Sequence, residues 1–345
     1  MMAGVCSDGL AISRRGFLGA AVTGALAHAL PAAAQGRNPL MVDFHHHFLP
    51  PRHLEKILAQ RESGRPPEWS PARSVEEMDK NGVGTAISSL VQPGIWFGEV
   101  ETSRSMARYC NEYASQMAAD HPGRFGFFAA IPLPDTEGSL REIEYALDKL
   151  HADGIGLMTQ FDGKYLGDPA FRPVFEELNR RHAIVYTHPT QPQCCQGLVK
   201  EVTVATIEYA TDTTRTIASL LFSGTAARFP DIRFIFSHGG GTVPFLLGRF
   251  ERLAEDKKTK DAWLKQGAAP ELRKFYYEIA QANHPGALDA LLRLAPVSNV
   301  LFGSDFPLRP VSEAVAGISK YEFSDAQRSA IERNNAEKLL PRLRA

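Results

Sequence analysis

The stretch MVDFHHHFLP, residues 41–50, joins an apolar, β-rich run to three consecutive histidines. Side chains alternate along a strand with period two, so His45 and His47 should point to one side and His46 to the other. The stretch therefore predicts a strand that offers two imidazoles to one site. The rest of the chain has to supply both the surrounding architecture and the partners of these imidazoles.

Seven further β-rich runs follow along the chain, with helical segments between them. Apolar strands that alternate with amphipathic helices indicate a parallel sheet covered by helices. Eight such units over roughly 300 residues fit an α/β fold of the (β/α)8 or TIM-barrel type. An open doubly wound sheet is the alternative, but no GxGxxG motif follows the first strand. The predicted strands are 40–45, 84–90, 125–131, 155–160, 183–187, 232–237, 275–280 and 298–303. The predicted helices are 102–120, 137–152, 169–181, 213–229, 241–256, 284–294 and 324–340.

The N-terminus has the pattern of an export signal. SRRGFLG (13–19) contains paired arginines, a short apolar stretch follows, and PAAAQ (31–35) offers small residues for cleavage. This order is typical of a secretory signal, and the paired arginines favour the twin-arginine type. We therefore expect 1–34 to be a signal peptide and 35–345 to be a single barrel domain. The expected location is periplasmic or secreted.

Composition narrows the classes of function. The chain has 345 residues, 44% hydrophobic and 22% charged, which is typical of a globular protein. Its net charge is −1 and no segment forms a basic stripe, which argues against a nucleic-acid partner. No apolar run after the signal is long enough to span a bilayer. Cys110, Cys194 and Cys195 do not make a disulfide framework.

Polar residues recur where predicted strands end. His45 and His47 end the first strand, His188 ends the fifth in THP, His238 ends the sixth in SHGGG, and Asp305 follows the eighth in GSDFP. In a barrel these five side chains would meet at one mouth. Three imidazoles and a carboxylate suit Zn²⁺ and tolerate Mn²⁺, and an open position would make the site catalytic. A lone HxH motif is a weak signal, but matching positions on several strands are hard to obtain by chance.

Histidines outside this set have simpler interpretations. They lie in predicted helices or loops, where a surface or capping role is expected. They are His28, His53, His121, His151, His182 and His284. We expect His46 to face the helices. Asp43, two residues before His45 on the same strand face, is expected to support the ligands rather than to bind the ion.

The order D-x-H-x-H, THP, SHGGG and G-S-D-x-P over residues 40–340 resembles the amidohydrolase superfamily. The branch it resembles is the amidohydrolase-related one typified by aminocarboxymuconate-semialdehyde decarboxylase. PGIWFG (93–98) and LGDPAFRPVFEELNRR (166–181) are similar to bacterial relatives of 6-methylsalicylate decarboxylase. The resemblance implies a single divalent metal ion, with Zn²⁺ favoured over Mn²⁺. The implied ligands are His45, His47, His188 and Asp305.

The same resemblance implies roles for residues around the metal. His238 becomes the catalytic acid/base beside a metal-bound water. Arg249 would reach into a neighbouring subunit to hold a substrate carboxylate, which implies a homodimer. A helix-surface ion pair with Glu251 or nearby acids is the alternative for Arg249. Members with two metals carry a lysine at the end of strand four, but Lys164 lies well past that end, so a single metal is expected.

Two enzymatic functions stay open at this point. One is non-oxidative decarboxylation of an aromatic or muconate-type carboxylic acid; the other is hydrolysis of a lactone, ester or amide, with His238 or Asp305 as base. A metal-binding protein without catalysis is a third possibility. Trp96, Phe97 and Phe306 are candidate aromatic walls for a planar substrate or ordinary core residues. Substrate specificity is expected in the long connections 50–83 and 189–212, which follow strands one and five.

Overall fold

The computed structural model describes residues 40–60 and 67–344, and residues 39–345 form one compact unit. Eight parallel strands form one sheet in chain order, as the sequence predicts. The predicted signal peptide lies outside the described residues and stays a prediction. The strands are β1 (Met41–Phe48), β2 (Val83–Leu90), β3 (Phe125–Ala130), β4 (Gly154–Met158), β5 (Ile184–His188), β6 (Arg233–Phe236), β7 (Tyr276–Glu278) and β8 (Val300–Leu301).

The sheet closes through the segment that follows β8. Backbone nitrogens donate from Phe44 to Phe302 O (2.9 Å), from Asp305 to His45 O (2.7 Å) and from His47 to Phe306 O (2.7 Å). These bonds join the first strand to the last and complete the barrel. They also place Asp305 beside the two histidines of β1, although 260 positions separate Asp305 from His45.

Helices cover the outside of the barrel between successive strands. The described part of the chain contains no helix long and apolar enough to cross a membrane. The helices are α1 (Pro51–Gln60), α2 (Pro71–Asn81), α3 (Val100–Asp120), α4 (Thr136–Asp148), α5 (Arg172–Arg180), α6 (Val204–Phe222), α7 (Thr225–Arg228), α8 (Val243–Ala254), α9 (Lys257–Ala262), α10 (Ala268–Leu272), α11 (Pro285–Leu294), α12 (Val311–Ser319), α13 (Asp325–Ser329) and α14 (Asn335–Leu339).

The two long connections contain more helix than the sequence analysis expected. Residues 50–83 hold α1 and α2, and α2 has clear termini: Ser70 accepts the Arg73 N–H, Pro71 follows, and Gly82 ends the helix at φ +73°. A hydroxyl cap, an early proline and a left-handed glycine are standard helix boundaries. Likewise α6 begins at Val204 rather than at 213.

Two layers of apolar side chains pack on either side of the sheet. The barrel interior is filled from successive strands, and the larger cluster lies between the sheet and the helices. Phe128 and Tyr186 stack at 5.1 Å inside the barrel, just below its C-terminal mouth. The interior residues are Val42, Phe44, Ile87, Phe128, Ile184, Tyr186, Ile235 and Leu301. Apolar side chains therefore fill the barrel beneath its mouth.

A register shift in β1 corrects one prediction. The pairing of β1 with β2 slips between Asp43 and His46, so the strict alternation of side chains is broken there. Phe44 and His45 consequently both face the barrel interior, and Asp43 does not share a face with His45. The prediction that His45 and His47 point the same way holds, because their Nε2 atoms lie 3.0 Å apart.

Candidate metal centre and active site

Four donor groups converge at the C-terminal mouth of the barrel. His45 and His47 have Nε2 atoms 3.0 Å apart, and each Nε2 lies 3.2 Å from Asp305 Oδ1. His188 completes a group in which one donor atom from each residue lies within 4.8 Å of the others. All four side chains are buried. The four residues that the sequence singled out therefore form one cluster.

The histidine rings are oriented so that their Nε2 atoms face the cluster. Each Nδ1 lies within hydrogen-bonding distance of an oxygen, which fixes the ring and leaves Nε2 as the free donor. The pairs are His45 Nδ1 with Glu278 Oε1 (2.7 Å), His47 Nδ1 with Ser89 O (3.2 Å) and His188 Nδ1 with Pro189 O (2.8 Å). Three imidazoles with their Nε2 atoms turned to one point are the arrangement that a metal ion needs.

Glu278, at the end of β7, is a functional residue that the sequence analysis missed. Its carboxylate is fully buried, binds the His45 ring and accepts backbone N–H groups from His238 (2.7 Å) and Ala280 (2.7 Å). It thus links a metal-ligand candidate to the turn that carries His238. The signal was present, because Glu278 is the one charged residue in the apolar run FYYEIA.

Asp43 supports the cluster through the backbone rather than through a ligand ring. Its Oδ1 accepts the N–H groups of His45 (3.0 Å) and Ser304 (3.0 Å), and its Oδ2 accepts the Ser304 hydroxyl (2.5 Å). The same carboxylate lies 3.1 Å from His46 Nδ1. Asp43 therefore holds β1 against the segment that presents Asp305. Its supporting role is as predicted, but the contacts differ because of the register shift.

His46 faces the helices, as expected from alternation after the shift. Its Nε2 lies 3.0 Å from the Ser74 hydroxyl on α2, and its ring packs 5.0 Å from Phe306. Phe306 is buried in the same layer, so its contacts favour the core interpretation over an aromatic wall. Trp96 does not belong to this layer. It lines an open cavity of about 400 Å³ at the mouth, together with Gln92 and Thr190.

His238 stands at the edge of the donor cluster. Its Nε2 is 3.9 Å from Asp305 Oδ2, and its ring lies 4.9 Å from the His45 ring. Neither ring nitrogen has a hydrogen-bond partner among the described residues. A largely buried imidazole with two unused nitrogens beside a metal-ligand cluster is positioned to exchange a proton with a bound molecule.

The backbone at the mouth adopts unusual conformations. His238 and Asp305 have φ of +54° and +67°, a region that side chains other than glycine seldom occupy and that is enriched at functional sites. Gln281, at φ +55°, donates its amide to Asp305 Oδ2. Gly241 follows His238 closely, and an added Cβ there would lie 2.1 Å from Ala210 O. Gly241 therefore permits a close approach to the backbone of α6.

Buried carboxylates give the cluster a negative charge that a bound cation would balance. The carboxylates of Asp43, Glu278 and Asp305 are buried there, and none forms an ion pair with a lysine or arginine of the described ranges. Asp305 Oδ1 is buried and has no hydrogen-bond partner in the described part of the chain. Ligand atoms bound tetrahedrally to zinc at about 2.0–2.1 Å lie about 3.3 Å apart. The donor atoms of His45, His47 and Asp305 are 3.0–3.2 Å apart, and with His188 included the separations reach up to 4.8 Å. The residues present thus fit a divalent metal ion.

Burial and neighbouring charges shift the pKa values of the four donor residues. Burial acts to lower the pKa of His45, but the charges of Glu278 and Asp305 raise it to about 10. Burial lowers the pKa of His47, and burial together with the neighbouring histidines holds that of His188 well below its usual range. Burial opposes ionisation of Asp305, yet the surrounding histidines hold its pKa well below the usual range. A metal ion must therefore displace a proton from His45.

Arg249 is the last of the site residues that the sequence predicts. Arg249 lies on α8, is exposed and has no hydrogen bond or ion pair within the described ranges. Glu251 instead accepts the N–H groups of Ala268 and Ala269, so the surface pair with Arg249 does not form. The role of Arg249 in a dimer stays a prediction.

The expectation for His53 was wrong. It is fully buried on α1, and its Nε2 lies 2.7 Å from Gly94 O in the loop after β2. His284 does cap a helix, because its side chain accepts the Ala287 N–H at the start of α11. His53 differs from His284 because α1 packs over the mouth. The PGIWFG segment covers the residues on the inner face of this helix.

The loop after β5 is fixed by a buried carboxylate. Asp212 on α6 accepts the Thr190 N–H (3.2 Å), the Tyr165 hydroxyl (2.7 Å) and the Thr159 hydroxyl. It thereby ties the residues that follow β4 and β5 to one helix. Further along the loop, Cys194 and Cys195 form a disulfide, which links adjacent residues and makes no framework.

A buried three-histidine, one-carboxylate cluster at the C-terminal mouth of a (β/α)8 barrel, with a free imidazole beside it, defines a metal-dependent enzyme of the amidohydrolase type. Comparison with known families agrees. The family model described as Amidohydrolase matches residues 42–342, and the chain belongs to this family.

Two related proteins match most of the chain. The chain is 38% identical over 329 residues to decarboxylase yanB of Aspergillus niger, a match that covers 87% of each protein. It is 34% identical over 315 residues to 6-methylsalicylic acid decarboxylase of Penicillium expansum, covering 88% of this chain and 97% of that protein. The resemblance inferred from the motifs is thus confirmed.

A manganese-containing structure shares the fold. Dihydroxybenzoic acid decarboxylase of Polaromonas sp. JS666, solved with bound manganese and 2-nitroresorcinol, aligns with a TM-score of 0.78 at 21% identity, over 89% of this chain and 98% of that one. At this level of identity the likeness concerns the architecture.

Proposed function

We propose that this protein is a metal-dependent, non-oxidative decarboxylase of an aromatic carboxylic acid. The observation that carries the proposal is the donor cluster of His45, His47, His188 and Asp305 with the imidazole of His238 beside it. The ring nitrogens of His238 have no hydrogen-bond partner among the described residues. The relatives that match most of the chain at 34% and 38% identity are decarboxylases, which favours this reaction over hydrolysis.

The four clustered residues would hold one divalent ion through three Nε2 atoms and one carboxylate oxygen. When bound, the ion would act as a Lewis acid that holds and polarises oxygen atoms of the substrate. Glu278 and the carbonyls behind His47 and His188 keep the rings oriented. Gln281 fixes Asp305 through its second oxygen. The protein thus supplies a rigid, largely buried setting before substrate arrives.

His238 would perform the proton chemistry. Decarboxylation breaks the bond between the ring carbon and the carboxyl carbon, releases CO₂ and requires a proton on the ring carbon. An imidazole can hold that proton near neutral pH and deliver it. Glu278 accepts the His238 backbone N–H, so the turn that presents this imidazole is anchored to the same group that orients His45. No organic cofactor is needed for this step.

Zn²⁺ is the proposed native ion, with Mn²⁺ as the competitor. Three imidazoles and one carboxylate are typical zinc ligands, but manganese accepts nearly the same set. Elemental analysis of protein purified without added metal decides the identity. One equivalent of zinc per chain is expected; one equivalent of manganese would replace zinc in the proposal, and two equivalents of either would contradict a single-metal site.

Activity measurements test the reaction itself. Metal-loaded protein is incubated with salicylate, 6-methylsalicylate, 2,6-dihydroxybenzoate and a muconate-type acid, and released CO₂ is measured alongside a panel of lactones and esters. We expect CO₂ from at least one aromatic acid. The matched control is His182→Asn, which alters an exposed histidine remote from the mouth. Turnover of lactones or esters without any CO₂ would establish hydrolysis instead.

A further inference from the structure

An open cavity of about 400 Å³, the mouth cavity, lies over the C-terminal ends of three strands. Gln92, Gln160 and Gln191 line it, and they stand two or three residues after the ends of β2, β4 and β5. Phe161 lines both the mouth cavity and a smaller one, lined mainly by apolar side chains, that reaches His188. The mouth cavity therefore borders the surroundings of a metal-ligand candidate, and its volume is typical of small-molecule sites.

Amide side chains dominate the lining of the mouth cavity. Five of the eleven glutamines of the chain line it: Gln92, Gln160, Gln191, Gln193 and Gln196. Gln160 Oε1 accepts the Gly163 N–H (2.9 Å), but the other four amides have no hydrogen-bond partner within the described ranges. The side chains of Gln92 and Gln191 are half-buried. Half-buried amides with unused donors and acceptors can bind a ligand that offers the complementary groups.

The charge of the lining distinguishes neutral ligands from anions. Among the described residues that line the mouth cavity, Asp162 is the charged one, and no lysine or arginine is present. A carboxylate placed here would lose water without gaining a cation, and it would face the negative charge of Asp162. A neutral group that both donates and accepts hydrogen bonds meets no such cost. The lining therefore favours uncharged polar groups over anions.

Trp96 adds a flat wall to the same cavity. Its ring is partly buried against the core, and its indole N–H has no partner in the described part of the chain. His53 Nε2 lies 2.7 Å from Gly94 O and holds the loop that carries Trp96. Thr190, which also lines the cavity, donates its N–H to Asp212 (3.2 Å). The planar indole on a fixed loop can therefore pack against a flat polar group such as a carboxamide.

We infer that the mouth cavity binds an uncharged, hydrogen-bonding substituent of the aromatic acid, with a carboxamide as the simplest such group. Gln92, Gln191 and Trp96 are the residues that determine this specificity. The inference rests on the proposed decarboxylase function and specifies the part of the substrate that lies away from the donor cluster. An acid with a neutral polar substituent is then favoured over an acid with a second carboxylate, and a muconate-type diacid is disfavoured.

A series of isosteric substrates tests the inference. Salicylates carry a carboxamide, a carboxylate or an isopropenyl group, three flat groups of nearly equal size, at ring position 4 or 5. At one of these positions, kcat/KM for the carboxamide should exceed that for the isopropenyl compound by about 10-fold, the effect of one or two hydrogen bonds. The carboxylate should be the poorest of the three. Equal values for carboxamide and isopropenyl compounds at both positions, or a preference for the carboxylate, would overturn the inference.

Matched variants assign the preference to the cavity. Gln92→Leu and Gln191→Leu replace an amide by an apolar side chain of similar size, and each should lower the preference for the carboxamide by about 3–10-fold. Two variants cover the case in which one fails to fold. Gln266→Leu is the control, because this exposed glutamine lies near Arg233 and Tyr276, the first residues of β6 and β7, at the opposite end of the barrel. An unchanged preference in both cavity variants would contradict the role of the glutamines.

Product binding separates the inference from the proposed function. Loss of CO₂ from the 4- and 5-carboxamides gives 3- and 4-hydroxybenzamide. Metal-loaded protein should bind one of these about 10-fold more tightly than the matching isopropenylphenol by calorimetry. Binding should also change the tryptophan fluorescence of the wild type but not that of Trp96→Phe. If no acid releases CO₂, the proposed function fails, and this measurement still decides on the cavity. Equal affinities, or the same fluorescence change without Trp96, would exclude the subsite.

Discussion

The two halves of the barrel mouth differ in chemistry. The half formed by β1, β5, β6, β7 and the segment after β8 carries His45, His188, His238, Glu278 and Asp305, all close to one another. The half formed by β2, β3 and β4 carries an apolar cavity, with Ser89 as the polar residue that contacts the first half. One half gathers buried carboxylates and imidazoles, whereas the other is lined mainly by apolar side chains.

This contrast follows from the cost of burial. A buried carboxylate or imidazolium is stable only with partners, so the charged half is a connected network in which each group orients the next. Apolar groups need only close packing, so the other half can change shape by single substitutions without breaking a network. We expect changes in the charged half to affect metal and turnover, and changes in the apolar half to affect the choice of substrate.

Removal of a donor should have the largest effect. Asp305→Ala deletes the carboxylate of the ligand set and leaves His45 and His47 without their shared partner. We expect loss of the bound metal and of all measurable turnover, with chelator-treated wild type behaving the same way. Elemental analysis and CO₂ release check the result. A variant that retains stoichiometric metal would show that Asp305 is not a ligand.

Removal of the acid/base should separate metal from turnover. His238→Ala keeps the four donors but deletes the imidazole beside them, and we expect a fall in kcat of about 10²–10⁴-fold with metal content unchanged. The measurement is kcat at saturating substrate together with metal content. Loss of metal in this variant would mean that His238 is a ligand.

Glu278→Gln tests the link between the charged groups. It removes the negative charge that binds the His45 ring at 2.7 Å while keeping the shape of the side chain. Groups behind metal-ligating histidines are worth about 10–100-fold in metal affinity, and we expect a loss in that range. Competition with a coloured chelator measures it. An unchanged affinity would show that the Glu278 charge does not act through His45.

His53, at the border of the apolar half, should give a pH-dependent stability. Burial lowers its pKa to about 4 from 6.5, so the unfolded chain binds the proton more tightly. The contribution of neutral His53 is complete above pH 6.5 and is lost as the pH falls toward 4, about 3 kcal/mol in all. His53→Gln keeps a donor for Gly94 O and should remove this dependence. Denaturant unfolding of both proteins from pH 4 to 7 measures the difference, and parallel curves would contradict it.

His46→Gln is expected to have the smallest effect on the site. The His46 ring faces α2 and contacts Ser74, away from the donors. Metal content and kcat should match the wild type, while the free energy of unfolding falls by about 1–3 kcal/mol because buried polar contacts are lost. Loss of metal here would contradict the division of β1 into a ligand face and a helix face.

The fold was predictable because its signal is repeated. Eight apolar runs separated by helical segments indicate a parallel barrel, and an error of a few residues at any one strand does not change that conclusion. The helices α1 and α2 were missed because the long connection was treated as one segment, although Ser70, Pro71 and Gly82 mark the ends of α2.

The ligand set was predictable for a related reason. Residues at equivalent ends of barrel strands must meet at one mouth, so His45, His188 and Asp305 could be placed together without knowledge of distances. The interpretation of Asp43 by alternation was only half right, because a register shift in the middle of β1 moves it to the other face. Such a shift depends on pairing with β2 and has no local signature in this stretch.

By itself, the sequence of this protein determined the barrel, the ligand types and the position of the free imidazole, because strand order and side-chain period are local properties of the chain. Only the tertiary structure decided that Glu278 orients His45 and that His53 is buried against Gly94. These facts depend on distances between segments far apart in the chain. Packing sets such distances, and no short stretch of sequence encodes them.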